Sequence, residues 1–362
     1  MANIIILGAG VMGSALAVPL ADRGHKVRLI GTHLDDDIIA AIRRHDIHPR
    51  LKVHLPDSVL PGSHDELAGA VGGAELLVLG VSSAGVDWAA GKLTSVLPPD
   101  VPIVMVTKGL AGDGETIQTL PEYLEKRLGA TYRGDVCAIG GPSIASELAV
   151  RRPTCVTLAG RSGPAAHHLA AWFRTPYYHV WPDTNLVGVE VCAALKNLYA
   201  LGVGMAAGML ESAPAVENES GMHNMAAALF AEAVWEMSYM VTALGGDPQA
   251  VWTLAGGGDL YVTCQAGRNS RMGRWLGKGM RYSEAKLRYM PEDVVEGAET
   301  ALAIRASLSA MISRGELDRN SLPMLCAIVE AVCDDACRPI PLERFFAARG
   351  TERPNDFAAG LL

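Results

Sequence analysis

The amino-acid sequence predicts an α/β fold, with a doubly wound, largely parallel sheet in its N-terminal half and an all-α C-terminal half. Three observations carry this expectation. Short β-branched runs alternate with helical stretches as far as about residue 183. The first of these runs leads at once into a glycine-rich turn and a helix. Beyond WPDTN at 181–185 the pattern changes to long alanine- and leucine-rich segments that contain no strand-like run. The boundary therefore falls there, giving an α/β unit at 1–183 and an all-helical unit at 184–362. With 362 residues and roughly 150 residues per domain as a guide, two cores are expected.

The elements follow in order. NIIIL at 3–7 is β-rich, GAGVMG occupies 8–13, and 14–23 read as a helix that Gly24 ends before a second strand at 26–30. Pro19 lies inside that helix, where it removes a hydrogen bond and bends the axis. Asp35, Asp36 and Asp37 precede IIAAIRRH, so a second helix has acids at its positive end and Arg43 and Arg44 at its negative end. Further strands are expected at 76–82, 103–109, 136–141, 154–160 and 177–181. Helical stretches lie between several of them, the pattern of a sheet covered on both faces. In the C-terminal half Asp247-Pro248 reads as a helix start, an N-cap with proline at the first helical position. The polar stretch at 351–356 is expected to be loose.

Composition narrows the function classes. Hydrophobic residues make up 49% and charged residues 19%, enough apolar surface to build a core without disulfides. A net charge of -8 gives no general attraction for nucleic acid or an acidic membrane, which leaves a small-molecule ligand. The seven cysteines (137, 155, 192, 264, 326, 333, 337) are scattered through apolar runs and read as reduced thiols. MANIIILGAG has no basic region and too short an apolar run for a signal peptide, so a cytoplasmic location is expected. The stretch GVEVCAALKNLYALGVGMAAGM at 188–209 is long enough for a membrane span. Glu190, Lys196, Asn197 and its glycines make it a buried helix instead, with no membrane insertion. His45, His48 and His54 are irregularly spaced around a proline-containing loop, and no metal site is expected.

Gly8, Gly10 and Gly13 fit G-x-G-x-x-G between a strand and a helix, the context that gives the motif its mechanics. Gly8 allows the tight turn, Gly10 lets the backbone approach a pyrophosphate, and Gly13 lets helix and strand pack closely. The helix N-terminus, with Val11 and Met12, offers its NH groups to the phosphates. A Rossmann-type unit binding NAD or NADP follows; a ligand-free turn is the alternative that the ordered context disfavours. An acid about 20 residues on would meet the NAD ribose, but the second strand ends in Gly31, Thr32 and His33. Asp35 is within reach of that role, and Thr32, His33 and Arg28 would tolerate an extra phosphate, so both cofactors stay open.

Lys196 in an apolar helix either snorkels to water or is held in a cavity for a task, and on helical spacing it has no companion charges. A second polar island, GGGDLYVTCQAGRNSRMG at 256–273, carries Asp259, with an N-cap as its plain reading, and Thr263 on the same face. Arg268 and Asn269 near a helix start suit a phosphate. Lys108 closes the run VMVTKG, at the carboxyl end of a strand where open α/β sheets place ligands.

These residues carry a resemblance. GAGVMGSALA, VTKG, GGPSIASELA, AALKN, GGDLYVTC, RNSRMG and VVEG occur in the order and spacing of the NAD(P)-dependent glycerol-3-phosphate dehydrogenases, from Asn3 to roughly Val332. The resemblance implies a dimeric, cytoplasmic, two-domain oxidoreductase that interconverts dihydroxyacetone phosphate and glycerol 3-phosphate for glycerophospholipid metabolism. It makes Lys196 the general acid/base, with Lys108 and Asp259 as its catalytic companions. Lys108, Asn197, Thr263, Arg268, Asn269, Gly141 and Ser143 fall on the substrate. Gly8, Gly10, Val11, Met12, Gly13, Thr32, His33, Ser82, Lys108, Ala145, Arg268 and Glu296 fall on the cofactor. Burial and the charge of Lys108 are expected to favour neutral Lys196, and Asp259 to oppose them.

The sequence departs from the pattern in the acidic stretch 210–221, longer than usual, and in Glu232, where arginine is usual. Other readings are therefore a related phosphorylated keto-polyol as substrate, a β-hydroxyacid or ketopantoate-type reductase, and a non-catalytic NAD(P)-sensing protein. Arg268-Asn269 and GGDL argue against the reductases, and intact Lys108, Lys196 and Asp259 against the sensor.

Overall fold

The computed structural model describes residues 1–45, 47–214, 221–265 and 267–336. It begins with β1 (Asn3–Leu7), α1 (Val11–Asp22), β2 (Lys26–Ile30) and α2 (Asp36–His45), in the order expected. A hairpin of β3 (Ile47–His48) and β4 (Val53–His54) leads to β5 (Val59–Gly62), α3 (Leu67–Val71), β6 (Leu76–Leu79), α4 (Val86–Leu93) and β7 (Ile103–Met105). A second hairpin, β8 (Leu110–Gly112) and β9 (Ile117–Thr119), precedes α5 (Leu120–Leu128), β10 (Val136–Gly140), α6 (Ala145–Ala149), β11 (Thr154–Gly160), α7 (Gly163–Phe173) and β12 (Tyr178–Asp183).

Eight strands form one sheet in the order β12-β11-β10-β7-β6-β1-β2-β5. Its first six strands in chain order lie as in a doubly wound dinucleotide-binding sheet, with the order reversing between β1 and β6. All neighbours are parallel except β10 and β11, so β11 and β12 run against the rest. The strand expected at 103–109 stops at Met105. Val106 NH still reaches the Leu79 carbonyl at 3.0 Å, and Gly109, at φ +157°, then turns the chain away into the second hairpin. β5 was missed because its sequence, VLPG, contains a proline, which an edge strand tolerates.

The C-terminal half is helical throughout the described residues: α8 (Leu186–Ser212), α9 (His223–Ala243), α10 (Asp259–Gln265), α11 (Arg268–Gly277), α12 (Tyr282–Tyr289), α13 (Glu296–Ser313) and α14 (Pro323–Cys333). Asp247 caps only a 3-10 turn, Pro248–Trp252, accepting from Gln249 NH at 2.9 Å. A π-helical turn, Leu254–Gly258, then runs straight into α10. The apolar stretch of α8 is 94% buried inside the fold, with α9, α10, α11, α13 and α14 packed around it.

One helix contact is unusually close. Gly204 and Gly208 on α8 face Gly273 and Gly277 on α11. A Cβ on Gly204 would lie 2.5 Å from the Ser270 carbonyl oxygen, and one on any of the other three would overlap a carbonyl of the facing helix. Glycine here lets two backbones touch directly. Gly297 of α13 meets the Asn197 carbonyl of α8 in the same way.

Two apolar clusters form, and they divide along the sheet and not along the sequence. One holds Ile4, Ile6, Val78 and Val104 with α1, α2 and α7. The other joins Ile5, Leu7, Leu79 and Met105 to the helical half through Leu186, Val189, Leu195 and Ile304. Alternate residues of each strand point to opposite faces, and α8 continues the covering layer of one face. Cys137, Cys155, Cys192, Cys264, Cys326 and Cys333 are free thiols. Cys337, the 351–356 stretch and half of the acidic insertion, at 215–220, lie outside the described residues.

Candidate active site

The glycine turn sits at the switch point of the sheet. Gly8 has φ +111°, and a Cβ there would lie 2.7 Å from the Gly80 backbone of the neighbouring β6 turn. A Cβ on Gly13 would overlap the Gly8 carbonyl, whereas one on Gly10 would meet nothing within 4 Å. Gly10 is also the N-cap of α1, and no side chain bonds that helix end. An open approach to uncapped NH groups beside Val11 and Met12 is what a pyrophosphate requires, so these residues fit a dinucleotide.

Two buried side chains brace the turn. Asp35 Oδ2 accepts from Ala9 NH at 3.2 Å, Thr32 NH at 2.8 Å and Thr32 Oγ1 at 2.9 Å. Oδ2 of this carboxylate is therefore tied to the turn. His48 Nδ1 accepts from Arg50 and Leu51 NH, so Nε2 carries the proton and donates to the Ala9 carbonyl at 3.0 Å. Burial holds the His48 pKa below the ordinary histidine value, keeping the ring neutral. His45 and His54 are exposed, and no cluster of three metal-ligating side chains occurs among the described residues. His33 packs against Trp88 with ring centroids 5.1 Å apart, and Ser82 is exposed where the chain leaves β6.

The two lysines converge. Lys196 Nζ donates to Asp259 Oδ1 and Lys108 Nζ to Asp259 Oδ2, each at 2.7 Å. Lys196 also donates to Thr263 Oγ1 at 2.8 Å, and Lys108 to the Gly141 carbonyl at 3.4 Å. Asp259 is 2% exposed and Lys196 7%, so this is a buried charge cluster held together by shared hydrogen bonds. Asp259 does not serve as an N-cap, because the π turn before it leaves no helix start to cap. Burial pulls the Lys196 pKa from 10.5 to about 8; Lys108 pushes the same way and Asp259 opposes. Glu190, the carboxylic acid in the apolar part of α8, is 1% exposed, and burial raises its carboxyl to about 8, so it sits in the core as a neutral acid.

A second network lies one residue along α8. Asn269 Nδ2 donates to Asn197 Oδ1 and Asn269 Oδ1 accepts from Gly297 NH, both at 2.9 Å, tying α8, α11 and α13 together. Arg268 stands at the N-terminus of α11, where the cap, Gly267 at φ +148°, supplies no side-chain bond. Its guanidinium is exposed and ion-paired with Glu296. Ser143, beside Gly141, has a buried Oγ with no hydrogen-bond partner among the described residues, and Ala145 opens α6.

The structure thus gathers Lys108, Gly141, Lys196, Asp259 and Thr263 at one centre and Asn197, Asn269, Arg268 and Glu296 beside it. Sequence reasoning missed His48 and the glycine contacts of α8, because each acts through backbone atoms distant in sequence. The spacing of Gly204, Gly208, Gly273 and Gly277, four residues apart on each helix, is the signal that would have found the second.

Residues 3–166 match the family described as NAD-dependent glycerol-3-phosphate dehydrogenase N-terminus, and residues 185–339 match its C-terminus. The chain is 38% identical over 300 residues to an NADP(+)-dependent glycerol-3-phosphate dehydrogenase of Archaeoglobus fulgidus, covering 82% of this chain and 87% of the relative. It is 34% identical over 307 residues to a glycerol-3-phosphate dehydrogenase [NAD(P)+] of Bacillus velezensis, covering 84% of each. The crystal structure of glycerol-3-phosphate dehydrogenase from Coxiella burnetii superposes with a TM-score of 0.79 at 26% identity, covering 97% of this chain and 99% of that one.

Proposed function

The chain belongs to the NAD(P)-dependent glycerol-3-phosphate dehydrogenases, and from that premise we propose that Lys196 is the proton donor and acceptor in interconverting dihydroxyacetone phosphate and glycerol 3-phosphate. The observation that carries this reading is the pair of amines on one buried carboxylate, with one amine brought into the range where it can both give and take a proton.

When bound, the reduced nicotinamide supplies a hydride to the substrate carbonyl carbon. Lys196 ammonium donates its proton to the carbonyl oxygen, forming the alcohol; in the reverse direction neutral Lys196 removes the hydroxyl proton. Asp259 orients Lys196 through Oδ1 and Lys108 through Oδ2. The charge of Lys108 supports negative charge developing on the substrate oxygen. Thr263 fixes the Lys196 amine from the next turn of α10. Arg268 takes the phosphate, exchanging Glu296 for a ligand of higher charge, with Asn197 and Asn269 shaping the pocket between the phosphate and the reacting carbon. Ser143 and Gly141 complete the substrate side. Gly8, Gly10, Val11, Met12 and Gly13 hold the pyrophosphate, with Thr32, His33, Ser82, Ala145 and Glu296 along the rest of the cofactor.

The cofactor is NAD or NADP. Arg28, half-buried on β2, and Thr32 at the end of that strand are the groups that would accept a 2′-phosphate, and Asp35 beside them is the group that would disfavour it. A cytoplasmic homodimer feeding glycerophospholipid synthesis is part of the same proposal. The test is reduced-nicotinamide consumption with dihydroxyacetone phosphate, unphosphorylated dihydroxyacetone and ketopantoate, using each cofactor. Activity that requires the phosphate supports the reading. Equal activity without it, or activity on ketopantoate alone, removes it.

A further inference from the structure

Lys108 lies on a short span fixed at its two ends to different halves of the molecule. On its N-terminal side the sheet holds it: Val106 NH donates to the Leu79 carbonyl at 3.0 Å, and Thr107 Oγ1 donates to the Val81 carbonyl at 2.8 Å. On its C-terminal side the chain enters the β8–β9 hairpin, which forms no ladder with the main sheet. That hairpin is fastened to α13 of the helical half.

The fastening is specific. A Cβ on Gly112 would lie 2.5 Å from the Ala303 carbonyl oxygen and 2.8 Å from Ser307 Oγ, so the hairpin backbone rests directly on the helix. Ser307 is 0% exposed, and its Oγ accepts from Gly114 NH at 3.0 Å. Arg314 pairs with Glu115 at 2.9 Å, and Ser83, beside the hairpin, donates to Glu299 at 3.3 Å. Glu299, Ala303, Ser307 and Arg314 form one stripe at helical spacing. The first residues of the same helix seat the substrate-side network, through Gly297 against Asn197 and Asn269.

We propose that Ser307 is a positioning residue for Lys108: through the turn at 112–114 it fixes the hairpin to α13, and so fixes how the Lys108 amine stands toward Lys196. The inference rests on the reading of the two lysines given above. Among the described residues Lys108 is the cation and Asp259 the anion that act on Lys196, while the Cys192 and Cys264 thiols beside the cluster are held neutral by burial. If the hairpin shifts, Lys196 loses its like-charged neighbour and keeps more of Asp259, and both changes favour its protonated form.

Two variants test this, Ser307→Ala and Gly112→Ala, with Ser307→Thr restoring the hydroxyl. The measurements are the pH dependence of kcat for glycerol 3-phosphate oxidation, cofactor affinity by nicotinamide fluorescence, and melting temperature. Displacement of a reacting group by about 1 Å costs about 100-fold. Gly112→Ala is therefore expected to lower kcat by about 10- to 100-fold and Ser307→Ala by several-fold, with cofactor affinity unchanged. In both, the alkaline rise of kcat moves to higher pH, and Ser307→Thr moves it back. Variants that melt lower but keep the wild-type pH limb and kcat assign Ser307 a purely structural part and overturn the proposal. Loss of the limb in wild-type protein would instead overturn the role of Lys196 itself.

Discussion

Replacing Lys196 with methionine keeps the length and apolar stem of the side chain while deleting its charge. A positioned general acid contributes about 100- to 10,000-fold, and loss of a donor aimed at a developing oxyanion costs about 3–4 kcal/mol. Both effects belong to one amine and overlap, so kcat is expected to fall at least about 1,000-fold, equivalent to about 4 kcal/mol. Folding is expected to survive. The drop in the Lys196 pKa from 10.5 to about 8 corresponds to about 3 kcal/mol spent on holding the charge there at neutral pH. Methionine removes that cost, while Asp259 Oδ1 and Thr263 Oγ1 each lose a partner at about 1–2 kcal/mol. Lys108 remains on Asp259 Oδ2, so the melting temperature should move little. The folded-state pKa lies below the unfolded one, so the unfolded chain binds more protons between them. Wild-type stability therefore gains from this group as pH rises from about 8 toward 10.5, a gain the variant lacks. In catalysis, wild-type reduction of dihydroxyacetone phosphate is expected to decline above pH about 8 and oxidation of glycerol 3-phosphate to rise there. Nicotinamide absorbance in both directions, cofactor titration and thermal melting supply the readouts. A folded variant that keeps more than about a tenth of wild-type kcat would refute the role assigned to Lys196.

Arg268→Ala should raise KM for dihydroxyacetone phosphate about 100-fold with a smaller change in kcat, since it removes a charge-assisted phosphate contact; steady-state kinetics at fixed ionic strength reads this. Asp35→Asn weakens the acceptor that Ala9 and Thr32 share, so affinity for NADH and NADPH should fall together, by about tenfold. A loss confined to NADH would show instead that Asp35 reads the ribose. Gly208→Val forces α8 and α11 apart and should destabilise by about 2 kcal/mol or more in denaturant unfolding.

Much of this arrangement was legible in the chain. The turn at 8–13 and the alternation up to Asp183 announced the sheet, because local spacing sets both. Lys196 stood out as a charge that its apolar neighbours could not explain. Asp259 was harder: as a single carboxylate after three glycines it read as a cap, and only the fold brings it against residues 63 and 151 positions away in the chain. For Asp35 the distance from the motif suited a ribose, but nothing in its spacing announced the bonds that run back to Ala9 and Thr32. The short hairpins carry too few residues to show a period, and β5 contains Pro61. Whether a given buried residue serves one half or both could not be read from position, because the core follows the faces of the sheet.

The seam of glycines between α8 and α11 has an outcome for selectivity. Main chain against main chain leaves no rotamer to relax into, so the spacing of the helices that carry Lys196 and Arg268 works as a fixed gauge. With the proposed roles of Lys196 and Arg268, the distance from a reactant's charged end to its carbonyl is what that gauge would measure, and a ketose phosphate one carbon longer is expected to turn over more slowly.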